Sequence, residues 1–453
     1  MTAQTTRLLQ RARELTATAR DEAAKATYLE LLHEDPQHFA ALVELGSLAL
    51  ASGHRSAAQT AYLQAVQCHP DNPIGHVNLG TLHLQYGEPA MARQQYAAAL
   101  ALDPDCAEAH QGLARALCDL GEQEAAQPHF VRGFTGRSVV VQRYRGTQPP
   151  IPVLVLVSVQ LGNVLVRGIL DDRVFQVAAV YAEFHDPQVP LPPHAVVFNA
   201  IGDADLCAAA LRQAQAILER TRAPVINPPH SVLRTGRIEN ARLLADLPGV
   251  IAPVTRMVAR AALVATPDLR FPLLLRAPGF HMGQHFVRVE RWEDLARVAA
   301  LPAEELLSIE YLDARGSDGL SRKYRVMFID GELYPLHLAI SADWKVHYFS
   351  ADMAARQTHR DEERRFLEDM AATLGPRTIS ALSRIAAILG LDYAGIDFGV
   401  DAAGSVLLFE TNATMAILTP AADPIWDYRR APIARALAAA MQMVRRRALD
   451  RGG

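Results

Sequence analysis

The sequence predicts a multidomain chain: an all-α repeat superhelix, then an α/β domain, then an α+β domain. Three observations carry that expectation. A 34-residue period runs through the first 135 residues, strand-sized apolar runs surround a helical run between residues 151 and 229, and a hairpin at residues 395–412 gathers Asp397, Glu410 and Asn412. The 453 residues, 50% of them hydrophobic, suffice for about three domains. A net charge of −4 gives no basic field for nucleic acid. No apolar run reaches the roughly 18 residues of a membrane helix, and residues 1–7 lack the layout of a signal peptide. Cys68, Cys106, Cys118 and Cys207 are scattered without C-x-x-C spacing, which favours buried thiols in a reducing cytoplasm over disulfides or zinc.

The repeat period is kept in several registers at once. Gly46 and Gly80 are 34 apart, with Ala12 and Ala114 continuing the series, and the same spacing links Ala24, Ala58, Ala92 and Ala126. It also links Tyr28, Tyr62, Tyr96 and Phe130, then Pro36, Pro70 and Pro104. Small residues let paired helices approach, the aromatic fills the gap to the next unit, and the proline stops the second helix. The pattern resembles the tetratricopeptide repeat and places an array at residues 1–135. Such arrays imply a groove for a peptide or protein, here lined by Val43, Ser47, Leu50, Val77, Thr81 and Leu84, then Gln111, Arg115 and Asp119. Lys and Asn at carboxylate-clamp positions are missing, and self-assembly into a homodimer is the alternative use of the face.

A boundary falls in residues 133–150, where the period breaks and Pro149-Pro150 follows several arginines. Residues 151–159, 176–181 and 195–199 read as strands, 207–220 as a helix, and 224–229 as a strand entering a turn, which argues for a parallel sheet over 136–230. Asn199 and Asp203 follow a strand, where α/β sheets place ligand loops; a helix cap is the alternative for Asp203.

The remainder, 231–453, holds the chemistry-bearing segments. Arg237 opens a helix, and Phe271 to Arg276 is a strand ending in a charge poorly explained as core. Gly279, His281, Gly283 and His285 lie in a loop after it. Ser308 to Asp313 is a further strand, and Arg325 to Glu332 enters a hairpin through an Asp330-Gly331 turn. Lys345 and His347 are expected on one strand face. In the closing hairpin Glu410 and Asn412 share a face and the partner strand brings Asp397 beside them. Three oxygen-bearing side chains suit a hard divalent cation; an edge hairpin with solvated acids is the bland alternative.

In this order the segments resemble the ATP-grasp superfamily over roughly residues 150–450, and look most like glutamate-adding ligases that modify ribosomal protein tails. The resemblance implies a pre-ATP-grasp α/β domain at 136–230 and an ATP-grasp α+β domain at 231–453. It implies ATP as co-substrate, with Mg²⁺, or Mn²⁺ in its place, on Asp397, Glu410 and Asn412. Arg237, Arg276, His281 and Lys345 would serve the phosphates, while Glu310, Tyr311, Leu312 and Asp313 would hold adenosine. Arg325 and Arg276 take the catalytic roles, with Arg276 standing where relatives usually carry lysine. Three other departures are Lys323, where relatives often have an acid, His285 at a loop glycine position, and Met415-Ala416 in place of Pro-Gly. The implied reaction is amide formation through an acyl phosphate, on a peptide or protein recruited by the repeats, with a small carboxylate or amine as co-substrate. The alternative is a non-catalytic repeat scaffold with a degenerate grasp domain.

Overall fold

The computed structural model describes residues 2–18, 20–265, 269–279, 284–346 and 351–449. The chain divides into two compact units, residues 1–147 with 184–189, and residues 148–183 with 190–453.

The first unit is a run of eight helices, consistent with a tetratricopeptide superhelix: α1 (Ala3–Ala17), α2 (Asp21–Glu34), α3 (Phe39–Ala51), α4 (Arg55–Cys68), α5 (Pro73–Gln85), α6 (Pro89–Leu102), α7 (Ala107–Asp119) and α8 (Gln123–Phe134). Each packs on the next, and a short strand β1 (Val139–Val141) follows. The registers read from the sequence have a packing cause. Ala24, Ala58, Ala92 and Ala126 are fully buried, and Tyr28, Tyr62, Tyr96 and Phe130 are no more than 2% exposed. The aromatic rings occupy the space that glycine vacates: a Cβ on Gly46 would meet Tyr62 Cε1 at 2.5 Å, and one on Gly112 would meet Tyr96 Cζ at 2.1 Å. Buried phenols need partners, and neighbouring helices supply them: the preceding helix for Tyr62 and Tyr96, the following one for Tyr28. Tyr62 Oη lies 3.0 Å from Ser47 Oγ, Tyr96 Oη 3.0 Å from Thr81 Oγ1, and Tyr28 Oη donates to Glu44 Oε2 at 2.9 Å. Ser47 and Thr81, expected to line a groove, are exposed and also brace the repeats through these bonds, whereas Val77 is buried. Gly53, Gly87 and Gly121, again 34 apart, turn the chain between α3 and α4, α5 and α6, and α7 and α8 at φ of 78°, 72° and 83°, a conformation that a side chain disfavours.

The second unit begins with a parallel sheet. Its strands β2 (Ile151–Val157), β3 (Phe175–Tyr181), β4 (Val196–Asn199) and β5 (Val225–Ile226) run in the order β3-β2-β4-β5, with α9 (Ala208–Leu218) before β5. The short helices α10 (Pro229–Val232) and α11 (Arg237–Leu244) lead to β6 (Val250–Ile251). An antiparallel sheet follows, ordered β7-β10-β8-β9, from β7 (Thr255–Ala259), β8 (Leu273–Arg276), β9 (Phe286–Val289) and β10 (Glu305–Glu310). The third sheet, ordered β12-β11-β13-β14-β6, contains β11 (Ser321–Ile329), β12 (Glu332–Ser341), β13 (Tyr393–Val400) and β14 (Val406–Asn412). Its strands are antiparallel except for β6, which runs parallel to β14. The helices α12 (Gln357–Glu368), α13 (Met370–Leu389) and α14 (Arg430–Leu449) complete the unit.

One core joins the first and third sheets: Val153, Phe198 and Ile226 pack with Met327, Ile329 and Tyr393 and with Ala436 and Met443 of α14. The stretch expected to carry Lys345 on a strand does not. Strand β12 stops at Ser341, whose Oγ accepts the Asp343 N–H at 3.0 Å and turns the chain, so Lys345 sits in a bend. His347 lies outside the described residues.

The glycine–tyrosine contact predicts that Gly112→Val lowers the stability of the repeats by about 1–3 kcal/mol through overpacking. Thermal unfolding followed by circular dichroism checks this; an unchanged transition would contradict the packing assignment.

Candidate functional site

A cavity of about 530 Å³ lies within the second unit, lined by all three elements that carry the predicted chemistry. Arg237 comes from the start of α11, Arg276 from the end of β8, and Lys323, Arg325, Asp397, Glu410 and Asn412 from the third sheet. Strand register explains the convergence. His337 faces Arg325 across β12 and β11, Arg325 faces Asp397 across β11 and β13, and Asp397 faces Glu410 across β13 and β14. Adjacent strands thus set these four side chains in one row. A bulge at Phe409 of β14, between the Asp397–Glu410 and Phe398–Leu408 pairs, shifts the register just beyond the acids.

Arg325 holds Asp397 with two bonds, Nε to Oδ1 at 2.6 Å and Nη2 to Oδ2 at 2.8 Å, and Lys323 Nζ lies 3.1 Å from Oδ2. The Asp397 side chain is 6% exposed. Burial alone would raise its pKa, but Arg325 and Lys323 outweigh burial and hold the carboxyl far below the ordinary range. Glu410 follows the same logic: burial opposes the charge, while Arg237 and Arg276 favour it more than nearby Asp397 disfavours it, so the net shift is downward. Arg237 Nη2 donates to Glu410 Oε1 at 2.8 Å and its Nη1 to Asp205 Oδ2 at 3.0 Å. Burial and the neighbouring Arg237 lower the Arg276 pKa. Asn240 fixes the end of β14 by donating to the Thr411 carbonyl at 2.6 Å. Asn412 Oδ1 accepts from the N–H and hydroxyl of Thr414 at 3.0 and 2.8 Å.

The wall also holds an apolar and aromatic set, Leu274, Phe286, Ile309, Leu312 and Trp344, with the Arg276 guanidinium 5.8 Å from the Phe286 ring centre. Tyr311 also lines it and carries the Arg288 guanidinium 4.0 Å above its ring. Glu310 braces this edge, since its Oε2 accepts the Val254 N–H at 3.0 Å. Asp313 is held by Arg315, whose Nε donates at 2.9 Å, and it does not contribute to the cavity wall. Lys345 does, whereas His281 and Gly283 lie outside the described residues. His285, standing at the loop glycine position, adopts φ of 48°, so the backbone keeps a glycine-like conformation there.

Of the two loop candidates, Asp203 reaches the wall while its Oδ1 accepts the Leu206 N–H at 2.9 Å. Asn199 is fully buried and ties loops together, donating to the Asn227 carbonyl at 2.9 Å and accepting from Ile201. Sequence reasoning missed Asp205, Asn240, His337 and Trp344 as parts of the wall. It noted Lys323 only as a departure, although its two-residue offset from Arg325 puts both on one face of β11.

No protein-family model and no curated protein matches the chain. Among solved structures, a crystal structure of MamA is 19% identical over 28% of this chain and 70% of that one, with a TM-score of 0.27. A structure of MamA from residue 41 to its end, from Desulfovibrio magneticus RS-1, is 20% identical over 28% of this chain and 73% of that one, also at 0.27. At these scores neither likeness identifies a function. Among the described residues, no helix is long and apolar enough to cross a membrane.

The charge row predicts that Asp397→Ala, which strands Arg325 and Lys323 beside an empty counter-charge, costs on the order of 3 kcal/mol in urea unfolding. Because the folded carboxyl is held below its unfolded value, its contribution is complete above about pH 4 and declines as pH falls further. The gap between wild type and variant should therefore narrow only below that pH. A constant gap down to acid unfolding would contradict the assignment.

Proposed function

We propose that the second unit is an ATP-grasp carboxylate–amine ligase and that the helical repeats recruit its peptide or protein substrate. The observation that carries this reading is the single cavity in which Arg237, Arg276, Lys323 and Arg325 surround Asp397 and Glu410, beside apolar and aromatic residues. Arg237, Arg276, Lys323 and Arg325 share this wall with Asp203, Asp205, Asp397 and Glu410, so a polyphosphate that arrives with a divalent cation would keep the charges in balance, and the apolar residues of the wall suit a purine. The backbone of Tyr311 and Leu312, just past the end of β10, offers hydrogen-bonding groups to the base edge.

A divalent cation that arrives with phosphate would find one open carboxylate oxygen here, Glu410 Oε2, since both Asp397 oxygens are held by Arg325. Glu410 Oε1 is bonded to Arg237, but Oε2 accepts no hydrogen bond among the described residues, and Asn412 lies two residues further along β14. Without phosphate, the surrounding cations disfavour another positive charge. When bound, Mg²⁺ would supply charge neutralisation at the phosphate oxygens. The chain's own residues do the rest: Arg237 and Arg276 draw the terminal phosphoryl group into line, and Arg325 faces the carboxylate that attacks it.

In that first step a substrate carboxylate oxygen bonds to the γ-phosphorus, the bond to the β-phosphate oxygen breaks, and ADP leaves. In the second an amine nitrogen attacks the acyl carbon, the carbon–oxygen bond to phosphate breaks, and the amine loses a proton to solvent or phosphate. Excluding water from the cavity protects the acyl phosphate between steps. Holding a macromolecular substrate by the repeats would raise its local concentration.

The test is capture of the acyl phosphate with hydroxylamine. Full-length protein with ATP, Mg²⁺ and pools of acids and peptides should give ADP and a hydroxamate in equal amounts, with Arg325→Ala lowering the rate at least ~100-fold. Removing residues 1–135 should raise KM for a peptide or protein substrate and leave ATP binding intact. Bound ATP without acid-dependent ADP release would favour the non-catalytic scaffold, and an unchanged KM would remove recruitment.

A further inference from the structure

The fourth helix pair carries two histidines that the function proposed above does not use. His110 of α7 and His129 of α8 meet through their Nδ1 atoms at 2.8 Å, with the ring planes 35° apart. His110 is 2% exposed, and its Nε2 lies 2.9 Å from the Pro104 carbonyl in the turn before α7. A carbonyl oxygen only accepts, so His110 Nε2 carries a hydrogen. Neutral His110 therefore has its lone pair on Nδ1, and the Nδ1–H of His129 donates to it.

The third helix pair fills the same two positions, 34 residues earlier, in another way. There His76 Nδ1 lies 2.9 Å from Gln95 Oε1. An imidazole that donates to an amide oxygen keeps that bond on gaining a proton, because only its other nitrogen changes. The histidine pair tolerates one added proton for a similar reason: whichever ring carries the charge, one Nδ1–H still faces one Nδ1 lone pair. A second proton puts hydrogen on both Nδ1 atoms and charges two rings whose centres are 5.0 Å apart.

We infer that His110 and His129 form a proton-operated latch on the last helix pair of the array, closed with one added proton or none and forced open by the second. This goes beyond the ligase reading and does not depend on it. A further polar tie stands beside the latch, since Gln111 Nε2 donates to the Gly133 carbonyl at 2.8 Å, and α7 also carries Arg115 and Asp119 on its exposed side. Opening would thus loosen the helix that presents those side chains.

The surrounding charges do not offset the second proton. His129 is held below the ordinary histidine value by burial first, then by His110 and by Arg132, one turn further along α8. The helices α5, α6 and α8 pack against α7. Other titratable groups on these elements have their own partners, face solvent or stay neutral in acid. Arg93 of α6 pairs with Glu122 at 3.0 Å, His83 of α5 with Glu88 at 2.7 Å, and Arg115 with Asp119 at 3.0 Å. Asp103 and Glu108 act on Cys106, and burial pushes up the thiols of Cys106 and Cys118 and the Tyr96 phenol. Asp105 and Glu124 are exposed. At the end of α8, Phe134 stacks on Phe184, which His185 and Asp186 follow, and Asp186 accepts the Gln188 N–H at 2.8 Å.

Below about pH 6.5 the unfolded chain takes two protons on these rings, whereas the closed latch takes one. The pair's contribution to stability is therefore complete above that pH and declines as pH falls below it. Hydrogen exchange of the full-length protein, read by mass spectrometry on peptides from α7 and α8 and corrected for the intrinsic effect of pH, tests the latch. Protection there should fall about 10-fold between about pH 7.5 and about pH 5.5. His129→Gln should match wild type at the higher pH and abolish the fall, because its amide can turn over to donate to a neutral His110 or to accept from a charged one. Unchanged protection of α7 and α8 in acidified wild type would overturn the inference, whatever the variant does. An equal fall in His129→Gln would overturn it too, since another group would then be responsible.

Discussion

The two-pronged bond from Arg325 to Asp397 ties together the strands on which the cavity depends. It joins the centre of β11 to the centre of β13, and the register that permits it also puts Glu410 opposite Asp397 and His337 opposite Arg325. Buried charges are costly unless paired, so a chain that keeps this row must keep all its partners in place together. Lys323 adds a second cation to Asp397 within the row, Arg237 bonds to Glu410 at its end, and Arg276 adds a further charge near Glu410. An arrangement so rich in cations is poorly suited to stability alone, since apolar residues of the same volume would pack there at lower cost. The polyphosphate proposed as its ligand would give the charges a reason.

The repeat unit obeys a different constraint, which is steric. Glycine at positions 46, 80 and 112 makes room for Tyr62 and Tyr96, whose hydroxyls are bonded to Ser47 and Thr81. Side chains that looked available for a ligand are therefore engaged in holding helix pairs together. Ser47 and Thr81 nevertheless remain exposed, and so do Arg115 and Asp119 of α7, which pair with each other at 3.0 Å.

Much of this was legible in the sequence because it depends on local periodicity. The 34-residue spacing revealed the helix pairs, and the two-residue alternation of Glu410 and Asn412 with Asp397 across a hairpin revealed the row of acids. Roles set by long-range contacts were harder to read. Asn199 follows a strand as a ligand residue would, yet the Asn227 carbonyl, 28 residues on, takes its amide and buries it. Asp313 was expected at adenosine and is held by Arg315 instead, and Lys345 was expected on a strand that Ser341 ends early. Lys323 carried a usable signal in its spacing from Arg325, but its partner lies 74 residues away on another strand. Nothing in β11 alone could identify it.

The central claim is that the charge row is a nucleotide phosphate site, and calorimetric titration of ATP with and without Mg²⁺ tests it most directly. The account predicts heat of binding at one site per chain, tighter with Mg²⁺ than without, and loss of that Mg²⁺ dependence in Glu410→Gln. No ATP binding to the folded wild-type protein under either condition would contradict it.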